Sequence, residues 1–309
     1  MAGPAQTAEG QTVVCAWCET PLGEDRTRLG GRSVCPVCGV ATTDPWPTDA
    51  ELDAAYAPYR PDSGRFSGPG DWILKATRGR LARRIAAEAP PGPVLDVGAG
   101  DGTLLVALAA AGREAVGLER DGDRAGEASD RADVRTEDLT EHEGRYAAVV
   151  LWHSLEHLPR PGAAIDHAAG LLVPGGLLLV TVPNAESLQA RAFGDSWLHL
   201  DLPRHLVHVG AHPLLGRMKE LGLEVERVSY ARGGQILFGW LHGLVGRVTG
   251  VSLYDAIRRP EARFERLGGR DRAVALAAAV ALLPLAAAAS VAEIALRRGG
   301  TVYAEARRG

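Results

Sequence analysis

The stretch that decides the fold is Val94-Leu-Asp-Val-Gly98-Ala-Gly100-Asp-Gly102, which runs directly into the apolar segment Thr103-Leu-Leu-Val-Ala-Leu. It predicts a buried β-strand, a glycine-rich turn and an α-helix, because glycine permits the sharp turn and a close approach of backbone to ligand. Ligands of open α/β sheets bind at this carboxyl end of a strand. A dinucleotide-binding turn has its third glycine five positions after the first, where this chain has Thr103, so the spacing disfavours a pyrophosphate.

Alternating strands and helices are predicted on both sides of this turn. Apolar runs predict strands over 93–97, 114–118, 132–136, 146–152, 176–183, 224–230 and 301–306. Helical patterns cover 49–57, a segment from 71 to the Pro90-Pro91 pair, 102–111, 123–130, 162–172 and 213–221. This alternation indicates an α/β fold, a doubly wound and mostly parallel sheet with helices on both faces.

Acidic residues follow the next two predicted strands. The second strand ends in Glu119, where a carboxylate can accept from both hydroxyls of a ribose. Asp138 and Leu139 follow the third strand, where an acid and a backbone amide can read an adenine. The alternative for each acid is an ordinary solvated surface position.

With these three features the sequence resembles the class I S-adenosylmethionine-dependent methyltransferases, over about residues 50–235 and the last strand. The resemblance implies a seven-stranded Rossmann-like sheet and S-adenosylmethionine as cofactor. The implied cofactor-binding residues are Asp96, Gly98, Ala99, Gly100, Gly102, Glu119, Arg120, Asp138, Leu139, Trp152 and His153.

Three later segments resemble a subfamily near the quinone-biosynthesis methyltransferases. Leu151-Trp-His-Ser-Leu-Glu-His157 resembles the segment that closes over the sulfonium, and 184–208 resembles the insertion that binds the acceptor. Tyr56 and Tyr59 resemble the N-terminal lid. The implied substrate-binding residues are Tyr56, Tyr59, Trp197 and Arg204, although Arg204 is equally well explained as a structurally paired arginine.

Five of the nine histidines fall beside the predicted cleft, at 153, 157, 199, 205 and 208. Histidine is the side chain whose ordinary pKa suits proton removal near neutrality. We rank His205 first as a catalytic base, followed by His157 and His208. A packing or hydrogen-bonding role is the alternative for each of them.

The only four cysteines form two C-x-x-C pairs, Cys15 with Cys18 and Cys35 with Cys38. This spacing predicts a structural Zn²⁺ site in a small ribbon, because each tight turn presents two thiolates of a tetrahedron. The alternatives are two disulfides or four unligated thiols. A closed four-sulfur shell leaves no position for a substrate, so the chemistry is expected elsewhere.

The overall charge of −4 argues against a general nucleic-acid binder and favours a small-molecule acceptor. The first twelve residues lack the pattern of a signal peptide, so a cytoplasmic location is expected. About seventy residues separate the last two predicted strands. They include twenty uncharged residues, Ala273 to Ala292, whose length suits a bilayer but which are rich in alanine and contain Pro284. Three roles are open for this apolar segment: contact with the inner face of the membrane, burial in a homodimer, or packing on the catalytic domain.

The predicted organisation is a zinc-ribbon module (1–44), a cofactor-binding methyltransferase domain (45–233), a helical insertion (234–299) and the last strand (300–309). The leading function is methyl transfer to the O, N or C atom of a small-molecule or lipid-linked acceptor. Alternatives are a nucleotide-sugar C-methyltransferase, a zinc-ribbon RNA methyltransferase, and a non-catalytic protein that binds S-adenosylmethionine or docks a partner.

Overall fold

The computed structural model describes residues 13–23, 26–57, 69–120, 132–231, 233–258 and 267–309. Its strands are β1 (Val13–Val14), β2 (Pro21–Leu22), β3 (Thr27–Leu29), β4 (Arg32–Val34), β5 (Ala41–Thr43), β6 (Val94–Val97), β7 (Ala115–Leu118), β8 (Asp133–Arg135), β9 (Tyr146–Trp152), β10 (Leu172–Pro183), β11 (Val207–His208), β12 (Leu223–Ser229) and β13 (Thr301–Arg308). Its α-helices are α1 (Asp49–Tyr56), α2 (Pro69–Glu88), α3 (Thr103–Ala110), α4 (Pro161–Leu171), α5 (Leu188–Phe193), α6 (Ala211–Glu220), α7 (Gly233–Thr249), α8 (Leu253–Ile257) and α9 (Gly269–Ala295).

Seven strands form the central sheet in the order β12-β13-β10-β9-β6-β7-β8. The strands from β10 to β8 run parallel, whereas β13 is antiparallel to both β10 and β12. This arrangement confirms the predicted α/β fold and its mostly parallel seven-stranded sheet. Each of the seven strands lies within four residues of its predicted bounds at either end. The predicted helix 123–130 lies outside the described residues.

Burial explains the continuous apolar runs of the central strands. Every residue of β6 is buried, as are six of the seven residues of β9, because helices cover both faces of the sheet. The buried Glu305 of β13 forms an ion pair with Arg84 of α2 at 2.9 Å, which ties the last strand to the helix that precedes β6.

The N-terminal module shares a sheet with the larger domain. Strands β3, β4 and β5 pair antiparallel, and β5 pairs in turn with β11, which lies far along the chain. Cys15, Trp17 and Val40 belong to the same apolar core as the central sheet. The four-stranded sheet therefore includes residues on both sides of the predicted boundary near residue 45, because a few-residue ribbon strand gains stability from an additional partner.

The insertion between β12 and β13 is helical. Helices α7, α8 and α9 share a small core that contains Val245, Leu253, Ala256 and Ala275. Within the described ranges, α9 is the one helix that is long and apolar enough to cross a membrane by length and composition. The inner side of α7 packs on α5, where Phe193 and Trp240 meet edge to face at 5.2 Å.

Candidate active site

The glycine turn after β6 has the backbone conformation that its sequence predicts. Gly98, Gly100 and Gly102 have φ angles of +78°, +58° and +71°, a region that side chains disfavour. The amides of Gly98 and Ala99 both donate to the carbonyl of Leu118, at 2.8 and 3.0 Å, so the turn is held against the end of β7.

Glu119, the first residue after β7, reaches this turn. One of its carboxylate oxygens accepts a hydrogen bond of 2.9 Å from the amide of Gly100. A Cβ atom built on Gly100 would meet nothing within 4 Å, so the turn faces open space at this point. The sheet order places β6 and β7 side by side, which brings the turn and the acid to one edge. These features fit an adenosyl group whose ribose is held by Glu119.

Asp96 lies on β6 beneath the turn and is buried. Burial raises the pKa of its carboxyl to about 7; the nearby charge of Arg78 opposes this shift, and Glu119 and Asp101 add to it. A cation bound at the turn would favour the ionised form of this carboxyl. The methionine part of S-adenosylmethionine, which carries an ammonium and a sulfonium, fits such a position.

The remaining predicted cofactor residues follow the neighbouring strands. Asp138 follows β8, and its side chain accepts hydrogen bonds from the amide and hydroxyl of Thr140, while Leu139 is buried. Trp152 ends β9 and has the guanidinium of Arg78 over its ring at 4.6 Å. Arg120 is exposed.

His153 follows β9 in a left-handed conformation with φ of +54°. Its Nδ1 lies 3.3 Å from a carboxylate oxygen of Glu156. Glu156 is buried, and burial opposes its ionisation, but the hydrogen bond and charge of His153 and the charge of His157 outweigh burial and lower the pKa of Glu156. Sequence reasoning did not single out Glu156. The one feature of the sequence that points to Glu156 is its position between two histidines of the predicted cleft.

His157 and His205 face each other, with ring centroids 4.8 Å apart. The Nδ1 of His157 donates to the carbonyl of Arg204 at 2.9 Å, and the Nδ1 of His205 donates to the carbonyl of His199 at 2.8 Å. A carbonyl oxygen only accepts, so each Nδ1 carries the proton and each Nε2 keeps its lone pair. Side-chain ligand atoms of Glu156, His157 and His205 all lie within 4.8 Å of one another.

Burial disfavours the charged form of these imidazoles. It lowers the pKa of His205 well below its ordinary value, and the charges of His157 and Arg204 lower it further. Burial likewise lowers the pKa of His157, although Glu156 opposes this. The pKa of His208 falls to about 3 through burial and the charge of Arg32. The three predicted base candidates are thus brought close together, with His208 6.5 Å from His205 between ring centroids.

The predicted acceptor residues differ in how they are placed. The hydroxyl of Tyr56 lies 3.1 Å from Nδ1 of His157, so the end of α1 covers the histidine pair. Arg204 is buried and paired with Asp201, and its charge is therefore compensated within the protein. Trp197 is buried against Phe193 and Leu200. Tyr59 lies outside the described residues.

The four cysteines form one cluster with all sulfur atoms within 4.8 Å of one another. The Cys15–Cys38 and Cys18–Cys35 sulfur pairs are each 3.6 Å apart. A disulfide would bring two sulfurs to about 2.05 Å, whereas four thiolates at about 2.3 Å around Zn²⁺ lie about 3.8 Å apart. The donor set therefore fits a tetrahedral zinc site.

The cysteine module contacts the segment that carries the base candidates. Thr43 of β5 donates through its amide to the carbonyl of Leu206 at 2.9 Å and through its hydroxyl to the carbonyl of His205 at 2.8 Å. The amide of Leu206 donates to the carbonyl of Glu156. The ribbon, the histidine segment and Glu156 are thus connected by backbone hydrogen bonds.

Known proteins share sequence similarity with this chain. The ubiquinone biosynthesis O-methyltransferase of Bordetella avium is 33% identical over 147 residues, which cover 43% of this chain and 57% of that protein. The enzyme of the same name from Thiobacillus denitrificans is 30% identical over 158 residues, 44% of this chain and 66% of that protein. The chain thus spans between about half and two thirds of the length of these curated relatives.

A solved structure supports the fold. A SAM-dependent methyltransferase from Archaeoglobus fulgidus superposes with a TM-score of 0.50 at 16% identity, covering 76% of this chain and 94% of that one. The family model described as "Methyltransferase domain" matches residues 73–228, just over half of the chain. This match contains the glycine turn, Glu119, five of the seven sheet strands and all but the last residue of β12. The protein therefore belongs to the methyltransferase-domain family.

Proposed function

We propose that the protein is an S-adenosylmethionine-dependent methyltransferase that acts on a small-molecule acceptor and methylates a hydroxyl oxygen. The observation that carries the proposal is the contact between Glu119 and Gly100 at the shared end of β6 and β7. It brings the two predicted parts of a cofactor site into one place. Similarity to two O-methyltransferases supports oxygen as the methylated atom.

Bound S-adenosylmethionine supplies an activated methyl group. The glycine turn and Asp96 would hold its methionine part, Glu119 its ribose, and Asp138 with Leu139 its adenine. This chain's contribution to the chemistry is then to position the acceptor and to remove its proton.

Nε2 of His205 is the proposed proton acceptor, because its lone pair is free of the bond that fixes Nδ1. A neutral imidazole is ready to take up a proton at neutral pH, although a low pKa makes it a weak base. The ionised Glu156 nearby would stabilise the imidazolium that forms. Tyr56 would exclude water above the histidine pair.

The test uses purified protein and S-adenosylmethionine carrying a labelled methyl group. A lysate of the source is the acceptor mixture, and extraction into organic and aqueous phases separates lipid acceptors from sugars and other polar molecules. We expect the labelled methyl group in a small-molecule fraction. The label should survive treatments that cleave methyl esters, because an ether-linked methyl group resists them. If calorimetry shows that S-adenosylhomocysteine binds but no fraction receives the labelled methyl group, the non-catalytic alternative would be favoured.

Two histidine variants test the base. His205→Ala is expected to lower turnover about 10²- to 10⁴-fold, the usual contribution of a general base, and to leave S-adenosylhomocysteine affinity within about twofold. His212→Ala is the matched control, because the side chain of His212 is 93% exposed on α6. Equal losses of turnover and cofactor affinity in His205→Ala would remove His205 from the catalytic role.

A further inference from the structure

Helix α9 is the outermost helix of the insertion, and most of its surface is uncovered. Its inner stripe, which includes Ala275, Ala286, Ser290 and Glu293, is buried. The large apolar side chains on its other faces are exposed, with Val280 at 75%, Val291 at 67%, Leu285 at 55%, Leu283 at 44% and Val274 at 43%. We call this surface the outer face of α9.

The outer face is unusual in both extent and composition. No charged residue occurs from Ala273 to Ala292, a span of about 30 Å along a helix. Elsewhere in the described ranges, five large apolar residues are exposed, none within seven residues of another: Leu29, Val37, Val106, Val248 and Ile257. A continuous apolar surface of this kind marks an interaction site.

Positively charged residues lie at both ends of this apolar face. Arg270 lies in the first turn of α9, and Arg297 and Arg298 follow its last turn; all three are exposed. Arg272, also in the first turn, is directed to the inner side, where its Nε donates to the carbonyl of Ala256 at 2.9 Å. Asp271 is the one acid of the first turn. Exposed apolar side chains can enter the headgroup region of an anionic membrane while arginines at the ends of the helix pair with the lipid phosphates.

We propose that the outer face of α9 binds the surface of an anionic lipid bilayer, with the helix axis parallel to the membrane plane. The inner stripe supports this orientation. Trp240 of α7 donates to Glu293 near one end of α9, and Ala275 packs on Val245 and Leu253 near the other. Because α9 is attached to the protein along its length, it offers one face to lipid and cannot cross the bilayer alone.

Charge disfavours a second copy of this chain as the occupant. A two-fold axis perpendicular to α9 would bring Arg270 beside Arg297 and Arg298 of the partner subunit. A two-fold axis parallel to α9 would bring each of these arginines beside the same arginine of the second copy. Like charges meet in both arrangements, whereas anionic headgroups neutralise both ends at once.

The proposed membrane contact adjoins the acceptor segment without depending on its chemistry. Trp240 of α7 packs on Phe193, which shares a buried cluster with Trp197 and Leu200. His199, whose carbonyl accepts from His205, lies in that same segment. A membrane-bound protein would thus present this side of the cleft near the lipid.

The test is flotation of the full-length protein, purified without detergent, with vesicles of phosphatidylglycerol and phosphatidylcholine in equal parts. Vesicles of phosphatidylcholine alone are the second arm. We expect flotation with the anionic vesicles and at least about tenfold weaker binding to the neutral ones. The double variant Arg297→Gln/Arg298→Gln should bind anionic vesicles about thirtyfold more weakly, since each arginine contributes about 1 kcal/mol near such a surface.

Val280→Glu tests the apolar contact, and Val37→Glu is its matched control at a valine that is 71% exposed on the cysteine module. Val280→Glu should lower vesicle binding more than about tenfold, and Val37→Glu should leave it unchanged. Sedimentation without vesicles measures the oligomeric state of each variant. Wild-type protein that fails to float with anionic vesicles would overturn the proposal, as would a dimer that Val280→Glu dissociates without any change in vesicle binding.

Discussion

Gly98→Ala probes the turn on which the proposed cofactor site depends. Its φ of +78° costs a non-glycine residue about 1–2 kcal/mol. An added Cβ would also lie 2.6 Å from Cβ of Ser154, although two carbons normally approach to about 3.5–4.0 Å. One of the two segments must therefore move by about 1 Å, and overpacking of this kind costs about 1–3 kcal/mol. The expected loss of unfolding free energy is about 2–5 kcal/mol.

Gly112→Ala separates the two contributions. Gly112 has nearly the same φ, +77°, but its added Cβ would meet no atom within 4 Å. The free energy of unfolding of Gly112→Ala should therefore fall only by the backbone contribution, about 1–2 kcal/mol. Urea unfolding measures both variants, and calorimetry measures their affinity for S-adenosylhomocysteine. We expect weaker binding by Gly98→Ala alone, because the displaced turn is the one proposed to hold the methionine part of the cofactor. Adding Ser154→Gly should restore part of the affinity, since it removes the Cβ that the new methyl group would meet. Equal destabilisation by both variants, with unchanged affinity, would refute this reasoning.

Three further predictions concern the metal, the ribose acid and a buried carboxyl. Cys35→Ser, or removal of the predicted zinc with a chelator, should speed exchange of the Thr43 amide, which donates to the carbonyl of Leu206, by about 100-fold, because the loss of two hydrogen bonds and the strand pairing costs about 3 kcal/mol. Hydrogen-exchange mass spectrometry measures this rate, and unchanged exchange would contradict the coupling. Glu119→Ala should weaken S-adenosylhomocysteine binding by about 10- to 100-fold in calorimetry, while Glu114→Ala, an exposed acid before the same strand, should have no effect. Because the pKa of Asp96 is raised from 3.8 to about 7, the folded protein holds this proton more tightly, and the associated stability is present below pH 4 and lost as the pH rises through 7. Urea unfolding measures the free energy of unfolding of the wild type and of Asp96→Asn at each pH. The wild type should lose about 3–4 kcal/mol more than the variant between pH 4 and pH 8. Parallel curves of unfolding free energy against pH would exclude the shift.

The features that the sequence predicted best are local ones. Gly98 and Gly100 lie between a buried strand and a helix, and Glu119 ends the next strand, so the order of elements alone brings them to one edge. The structure adds the hydrogen bond that joins Gly100 to Glu119. The strands of the central sheet were equally predictable, because a strand that is buried on both faces has a continuous apolar sequence.

Long-range contacts were not predictable in the same way. Strand β11 has two residues, too few for any periodicity, and its partner β5 is separated from it by most of the chain. The burial of Glu156 depends on the same packing. For Arg204 the sequence left two interpretations open, and the pairing with Asp201 favours the structural one.

The pairing of β5 with β11 has a consequence for how such chains diversify. Neither strand can be exchanged alone, because a ribbon whose strand lay in another position would leave the carbonyl of Leu206 without the hydrogen bond from the amide of Thr43. The ribbon and the histidine segment are therefore expected to vary together among related chains. A transplanted catalytic domain without the first 44 residues would lose the hydrogen bonds that Thr43 donates to the carbonyls of His205 and Leu206.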